Sequence, residues 1–338
     1  MENIIGQNLQ LSISIKQIVF ILYVGLLFAD YGGGYAGSGF RYSSNAREFS
    51  LAGALIADKT PGFYAFSNPS LLKYARSSQI GISYQSMSLD RSIQSISFVK
   101  NLPPSAGVGL AVLRAGTENI QGKNSMNEQT QLFSAQEIKG IISFGVSFNS
   151  RLAFGINIKA FFSSIAPEII NVQSSKGIGW DVGFLYKFHR HFIFGGIIEN
   201  LNSSYIWRMT KYNDQESYEE FFPQSLKLGV SYTGYRDVSI YFQEDMVNTP
   251  GNHINYRYRL GIEYILSNRI KLRGGLRQAR GALSSDAENI GLNLKSSIGL
   301  GIPLKIWKRQ YMQLDYALDP GIVGEGLSHL FSFSMEVK

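Results

Sequence analysis

The amino-acid sequence predicts an all-β protein, a transmembrane antiparallel β-barrel of about fourteen strands with an N-terminal plug segment in its lumen. Three observations predict it. The 338 residues are 44% apolar and 13% aromatic but only 17% charged, with 35 glycines and no cysteine. A soluble enzyme usually carries about 25% charged residues, and a helical membrane protein shows apolar runs of about 20 residues; past residue 30 this chain has no such run. From residue 79 onward one unit recurs, an alternating stretch of about ten residues closed by a turn. The connections between these stretches alternate between short and long, as they do when one end of a barrel faces the periplasm and the other the outside.

The amino end comes first. Ile18 to Ala29 is an apolar run of about twelve residues behind Lys16, the size of a signal-peptide core and too short to span a bilayer. Residues 1–36 are therefore read as a signal peptide, with cleavage after Ala29 or after Ala36, where Gly34 and Ala36 make a small-x-small pattern. Without cysteine there is no lipidated anchor, disulfide, thiolate metal site or cysteine nucleophile.

Residues 37–78 differ in composition. Ala52, Gly53, Ala54 and Ala57 fall on a helix-compatible spacing, and Asn68-Pro69-Ser70-Leu71-Leu72 reads as a turn running into a short helix. This segment is too polar to face lipid. It is expected to enter from the periplasm and to plug or line the barrel.

The barrel proper is expected over residues 79–338. Between Ser225 and Tyr232, Leu226, Leu228, Val230 and Tyr232 share one face, while Ser225, Lys227, Gly229 and Ser231 share the other. Tyr256, Tyr258, Leu260, Ile262 and Tyr264 likewise oppose Arg257, Arg259, Gly261 and Glu263, with aromatics at the stretch ends where membrane girdles belong. Strands are expected at 79–87, 92–100, 106–115, 137–148, 152–163, 177–188, 191–200, 224–233, 237–246, 256–266, 270–279, 289–303, 310–318 and 327–337. The connections 116–136, 164–176, 201–223, 247–255 and 280–288 are the longer ones and are placed outside; only the first outer loop, 88–91, is short. An even strand count puts both ends of the barrel on the short-turn side. A soluble β-sandwich or propeller requires neither this asymmetry nor outward aromatics. The location that follows is the outer membrane of a diderm bacterium.

The inward positions carry the candidate chemistry. Asp181, Arg257, Arg259, Glu263, Arg273, Arg277 and Asp315, with Lys271 and Lys295, all fall on the polar side of their strands. Mixed signs on neighbouring strands point to a paired network that stiffens the wall and holds the plug; the alternative is a basic strip guiding an anionic solute. The formal charge of +7 is spread through the strands rather than gathered in one run, which argues against nucleic acid. Catalysis finds no support, because His189 and His191 flank a periplasmic turn, His253 lies in a loop and His329 faces outward, so none is placed to serve a serine. No cofactor is expected. In the loop 201–223, Tyr205, Trp207, Tyr212, Tyr218, Phe221 and Phe222 form a candidate partner-binding surface, or else part of the outer aromatic girdle.

The run Arg47-Glu48-Phe49-Ser50-Leu51-Ala52-Gly53-Ala54, followed by Ala57-Asp58 and Asn68-Pro69-Ser70-Leu71, resembles the amino-terminal pattern of the PorV/PorQ family of FadL-like barrels. Gly177-Ile178-Gly179-Trp180-Asp181-Val182-Gly183 with Glu199-Asn200-Leu201, then Leu260-Gly261-Ile262-Glu263-Tyr264, Leu272-Arg273-Gly274-Gly275 and Leu314-Asp315-Tyr316-Ala317, occur in the family's order. The resemblance runs from about residue 40 to the end. It implies a fourteen-stranded barrel with a lumen segment, inserted by the barrel assembly machinery and embedded in outer-membrane lipid. It also implies one of two jobs. The first is that of a type IX secretion component that receives the C-terminal domains of cargo proteins at the outer-membrane translocon. The other, found among FadL-like relatives, is passage of hydrophobic or small polar compounds.

Overall fold

Side chains alternate across an extended strand, so each stretch of the sequence sorts its residues onto two faces. On β1 (Ser78–Met87), Gln79, Ser83 and Gln85 turn inward and are buried, while Ile82 and Tyr84 stay exposed on the outside. The same rule holds along β2 (Arg91–Leu102), β3 (Ala106–Lys123), β4 (Gln129–Ser147), β5 (Leu152–Ile165), β6 (Gln173–His189) and β7 (Phe192–Leu201). It continues through β10 (Ser225–Tyr235), β11 (Val238–Thr249), β12 (His253–Leu266), β13 (Ile270–Gln278), β14 (Leu294–Trp307), β15 (Gln310–Asp319) and β16 (Ser328–Val337). The computed structural model describes residues 35–60, 62–165, 173–211, 214–235, 237–249, 253–266, 270–278, 294–307, 310–320 and 326–337. Residues 1–34 of the signal segment, with its Ala29 cleavage position, lie outside them, as does Tyr212.

These strands form a closed 14-strand antiparallel barrel. Closure comes from β1 against β16, in register from Ser78 opposite Val337 to Ser86 opposite His329, so both ends of the barrel meet at the short-turn end. The exterior is a band of Ile, Leu, Val and Phe, among them Ile96, Leu110, Ile142, Phe154, Ile262 and Ile298, exposed at 37% or more. Such a belt is unstable in water and stable in hydrocarbon, and a closed barrel leaves no unpaired sheet edge there. The protein is an outer-membrane barrel.

Two connections depart from expectation. The segment 116–136 is not a loop: β3 and β4 continue through it as a tall hairpin, with register shifts after Thr117 and Gln121 and a left-handed Asn119. Above the membrane both faces of a strand meet water, so polar residues on both faces erase the alternation that marks strands lower down. For the same reason β8 (Ser204–Lys211) and β9 (Asp214–Phe221) form a hairpin inside the expected 201–223 loop. This hairpin leaves β7 through Asn200 and Asn202, both in the left-handed region that Asn tolerates, and β8 pairs with β6 at Ser175 and Lys176. A Cβ on Gly177 would overlap the Ser204 carbonyl, so only glycine lets the hairpin fold over the mouth.

The N-terminal segment fills the lumen, but it runs the other way from the expected periplasmic entry. Ser38–Arg41 forms a 3-10 turn beside Glu137 at the outer end; the helices Ala46–Ser50 and Tyr64–Ser67 and the 3-10 helix Pro69–Tyr74 then descend toward the start of β1. Asn45 caps the first helix by accepting from the Glu48 amide at 2.9 Å, and Glu48 in turn accepts from the Ser44 amide and hydroxyl at 2.7 and 2.6 Å. The core of the molecule is the seam between plug and wall, where Ile56, Tyr64, Leu71 and Leu72 pack on Val99, Leu185, Ile193 and Ile197. Full burial of each leucine contributes about 2 kcal/mol. The wall makes room with bare backbone: a Cβ on Gly155 would overlap the Pro69–Ser70 peptide, and one on Gly107 would lie 2.6 Å from the Leu72 carbonyl oxygen.

Candidate functional site: a roofed mouth over a charged lumen

Asn68 and Pro69 sit where the plug meets β6 and β7. Asn68 is fully buried; its side-chain amide lies within hydrogen-bond distance of the carbonyls of Ile56 at 3.0 Å and of Phe184 and Gly196 at 3.3 Å, and its oxygen accepts from Ser70. Ala52, Gly53 and Ala54 make the turn after the first helix, with Ala52 at φ 55° and Gly53 at φ 80° and the Gly53 amide donating to the Glu48 carbonyl at 2.8 Å. A side chain at Gly53 would overlap the Arg259 guanidinium, which donates to the Ala52 carbonyl at 3.1 Å.

Most of the expected inward charges are brought into paired clusters. At mid-height Arg273 donates to Glu263 at 2.6 Å and to Asp315 at 2.7 Å, and Gln313 also donates to Asp315. Arg47 of the plug joins this cluster through Glu263 at 3.3 Å, the Tyr241 hydroxyl at 3.2 Å and Asp58. Burial opposes the Arg47 charge, yet Asp58 and Glu263 hold its guanidinium well above the ordinary range. Arg259 pairs with Asp245, and Arg277 lies over the Phe49 ring, 5.4 Å from its centroid. Asp181 pairs with Lys159, 2.5 Å away. Lys159 also donates to Asn200, whose amide groups donate back to Asp181 and to the Pro223 carbonyl. This knot ties the wall to both roots of the β8–β9 hairpin.

Above the charges lies a greasy septum. Phe161 stacks on Phe222 with centroids 4.2 Å apart, Tyr205 lies 4.9 Å from Phe222, and Phe40 lies 5.9 Å from Phe161. The expected loop aromatics therefore divide. Tyr205 and Phe222 are buried in the septum, Trp207 packs against it with its indole donating to Glu220 at 2.9 Å, and Tyr218 and Phe221 remain exposed. Glu137 clasps the parts together, accepting from the Gly39 amide at 2.6 Å and from the Tyr205 hydroxyl at 3.3 Å. Burial, then the Glu137 carboxylate, raises the Tyr205 phenol well above its usual range.

The septum separates two spaces. Outside it, a cavity of about 400 Å³ opens between Tyr42, Met87, Arg91, Ile93, Glu137 and Trp207. Beneath it, a cavity of about 170 Å³ is lined by Phe40, Phe161 and Phe222 on top and by Lys139, Lys159, Asp181, Lys227, Asp245, Arg257 and Arg259 below. Glu137, Lys139, Lys159, Glu199, Lys227, Asp245 and the plug pair Arg47 and Asp58 are absent from the sequence-derived set. The inward parity of β4 and β5, odd-numbered from Glu137 through Lys159, was the signal that could have found the first three. Among the described residues no group of three His, Asp or Glu side chains could hold a metal ion.

No protein-family model matches the sequence, and no curated protein matches it. Solved structures do match in shape. The CymD monoaromatic hydrocarbon channel superposes with a TM-score of 0.60 over 87% of this chain and 97% of its own, at 13% identity. The Pseudomonas putida toluene transporter TodX gives 0.59 over 88% and 98% at 13% identity. A Pseudomonas aeruginosa FadL homologue gives 0.56 over 90% and 99% at 9% identity. The fold is that of the FadL-like barrels.

Proposed function

We propose that this protein is a FadL-like outer-membrane transporter that takes up small molecules from outside into a plugged lumen. The observation that carries the reading is the outer cavity of about 400 Å³, a ligand-sized space whose floor is made by the plug's own leading residues and the folded-over hairpin. A floor built from a segment other than the barrel wall can move without breaking the wall. The structural relatives described as hydrocarbon channels and toluene transporters support the same reading. The test is uptake of radiolabelled small solutes by cells expressing the barrel against cells carrying the empty vector. Uptake equal in both for aromatic and aliphatic probes alike defeats the reading.

The second reading is a PorV/PorQ-type component of type IX secretion. It is favoured by the sequence patterns given above and by Tyr218 and Phe221, exposed at 58% and 59% on the hairpin, where a protein partner could reach them. Pull-down of the detergent-extracted barrel from its native membrane distinguishes the two. Recovery of translocon subunits and sorting-domain cargo supports secretion, and a bare barrel supports uptake.

A further inference from the structure

We propose that the periplasmic foot of the barrel, on the side where the plug's last helix packs, is a docking face for an acidic segment of a periplasmic protein. The inference goes beyond uptake and stands under either reading of function. The 3-10 helix Pro69–Tyr74 packs against the feet of β2 to β6. Residues 68–84, 97–109, 144–155 and 183–194 build this part of the foot, and they hold Lys73, Arg76, Lys100, Arg151, Lys187 and Arg190 without one Asp or Glu. Among the described residues none of these cations makes an ion pair. The lumen above is different, because Arg47, Lys159, Lys227, Arg259 and Arg273 each have a carboxylate partner. So is the opposite half of the foot, which carries Asp237 before β11 and Glu336 at the end of β16.

Two donors at this corner have no acceptor. Lys73 Nζ lies 5.2 Å from the centre of the Tyr74 ring, and neither it nor the Tyr74 hydroxyl has a hydrogen-bond partner among the described residues. Burial, then the nearby Lys187 ammonium, lowers the Lys73 pKa. Lys187 lies on the inward face of β6, two residues past the buried Leu185, and its amide donates to the Arg151 carbonyl at 2.8 Å. The β4–β5 and β6–β7 turns therefore bring Arg151 and Arg190 to the same side of the foot. Cations held together without counter-charges repel one another, and an arriving carboxylate relieves both the repulsion and the unfilled donors. Lys73 is half-buried as a residue, so its flexible tail can swing outward to meet that group. The placement selects the kind of anion. Lipid headgroups lie outside the wall, where they do not reach the inward-facing Lys187 or the plug's Lys73. A compact ion such as phosphate fills one point, whereas these charges are spread over several strand feet and match a run of carboxylates along a peptide.

The experiment places the full barrel in phosphatidylcholine nanodiscs and follows a fluorescein-labelled hexaglutamate peptide by polarisation, with hexaglutamine as the uncharged control. The expected result is hexaglutamate binding at least about ten-fold more tightly than hexaglutamine, with the preference shrinking as salt is raised. Lys73→Gln and Lys187→Gln should each weaken hexaglutamate several-fold, while Lys123→Gln on the tall outer hairpin leaves it unchanged. Heat-modifiable migration on gels establishes that each variant is folded. Equal binding of the two peptides, or a loss in Lys123→Gln as large as in Lys73→Gln, overturns the docking face. Complete displacement of the peptide by inorganic phosphate at constant ionic strength would make this a compact-anion site instead, and displacement by phosphatidylglycerol added to the disc would make it a lipid site; either result also defeats the proposal.

Discussion

A single buried amide shows how finely the plug is seated. Asn68 offers its nitrogen to three carbonyls and its oxygen to Ser70, so the two ends of one side chain face opposite demands. Asn68→Ala should lower stability by about 2 kcal/mol, the combined loss of a helix cap and a buried donor. Asn68→Asp should cost more than alanine despite its equal size, because it keeps the cap but sets a carboxylate against carbonyl oxygens. Urea unfolding followed by tryptophan fluorescence would rank the two, and the opposite order would refute the donor assignment. Glycines give a matching pair. Gly155→Ala collides with plug backbone, whereas Gly274→Ala, with nothing within 4 Å of its added methyl, should be neutral or slightly stabilising. Little of this was readable beforehand. The Asn-Pro signature marked a turn, but the carbonyls of Phe184 and Gly196 lie more than a hundred residues away in the chain, and no local pattern announces them.

Elements inside the membrane were legible because lipid on one side and lumen on the other impose period two on every strand. Leu226 to Tyr232 and Tyr256 to Tyr264 read as strands for that reason. Where water meets both faces the constraint disappears, which is why the upper halves of β3 and β4 and the whole β8–β9 hairpin were read as loop. The roof that this hairpin makes depends on Asn200, whose left-handed backbone and three polar contacts join β5, β6 and Pro223. Asn200→Ala should leave the barrel's thermal midpoint nearly unchanged yet speed proteolysis of the hairpin several-fold, since the loss falls on a surface element that opens separately. Equal protease resistance in the two proteins would show that Gly177 and the septum hold the roof without it. The leading segment carries its own expectation. Ala36 is buried against the septum and its amide donates to the Phe221 carbonyl at 3.3 Å, so processing that preserves this packing leaves Ala36 on the mature chain. Intact-mass measurement of protein from the outer membrane reads this directly, and a mature chain starting at Gly37 would contradict it.

Across the whole molecule the lumen is closed at successive levels, and they differ in what opens them. The septum is an aromatic contact among Phe40, Phe161, Tyr205 and Phe222, held by dispersion and burial with one hydroxyl bond to Glu137. The middle is an ionic knot in which Arg47 joins Asp58 and Glu263 to Arg273 and Asp315. The lower plug is packed into the wall by Leu71 and Leu72. Removing one partner from a buried ionic cluster leaves a charge uncompensated and costs about 3–5 kcal/mol, whereas trimming one ring from the septum mainly joins two cavities. Phe40→Ala should therefore raise small-molecule access, seen as faster association, while planar-bilayer recordings stay as silent as those of the natural protein. Arg47→Met should do the reverse: the plug loses its central tie to the wall, the midpoint of unfolding drops, and brief conductance steps appear. Steady conductance from the unaltered barrel would mean that these closures do not seal. Conductance from Phe40→Ala alone would mean that the septum, and not the ionic knot, is the barrier to ions.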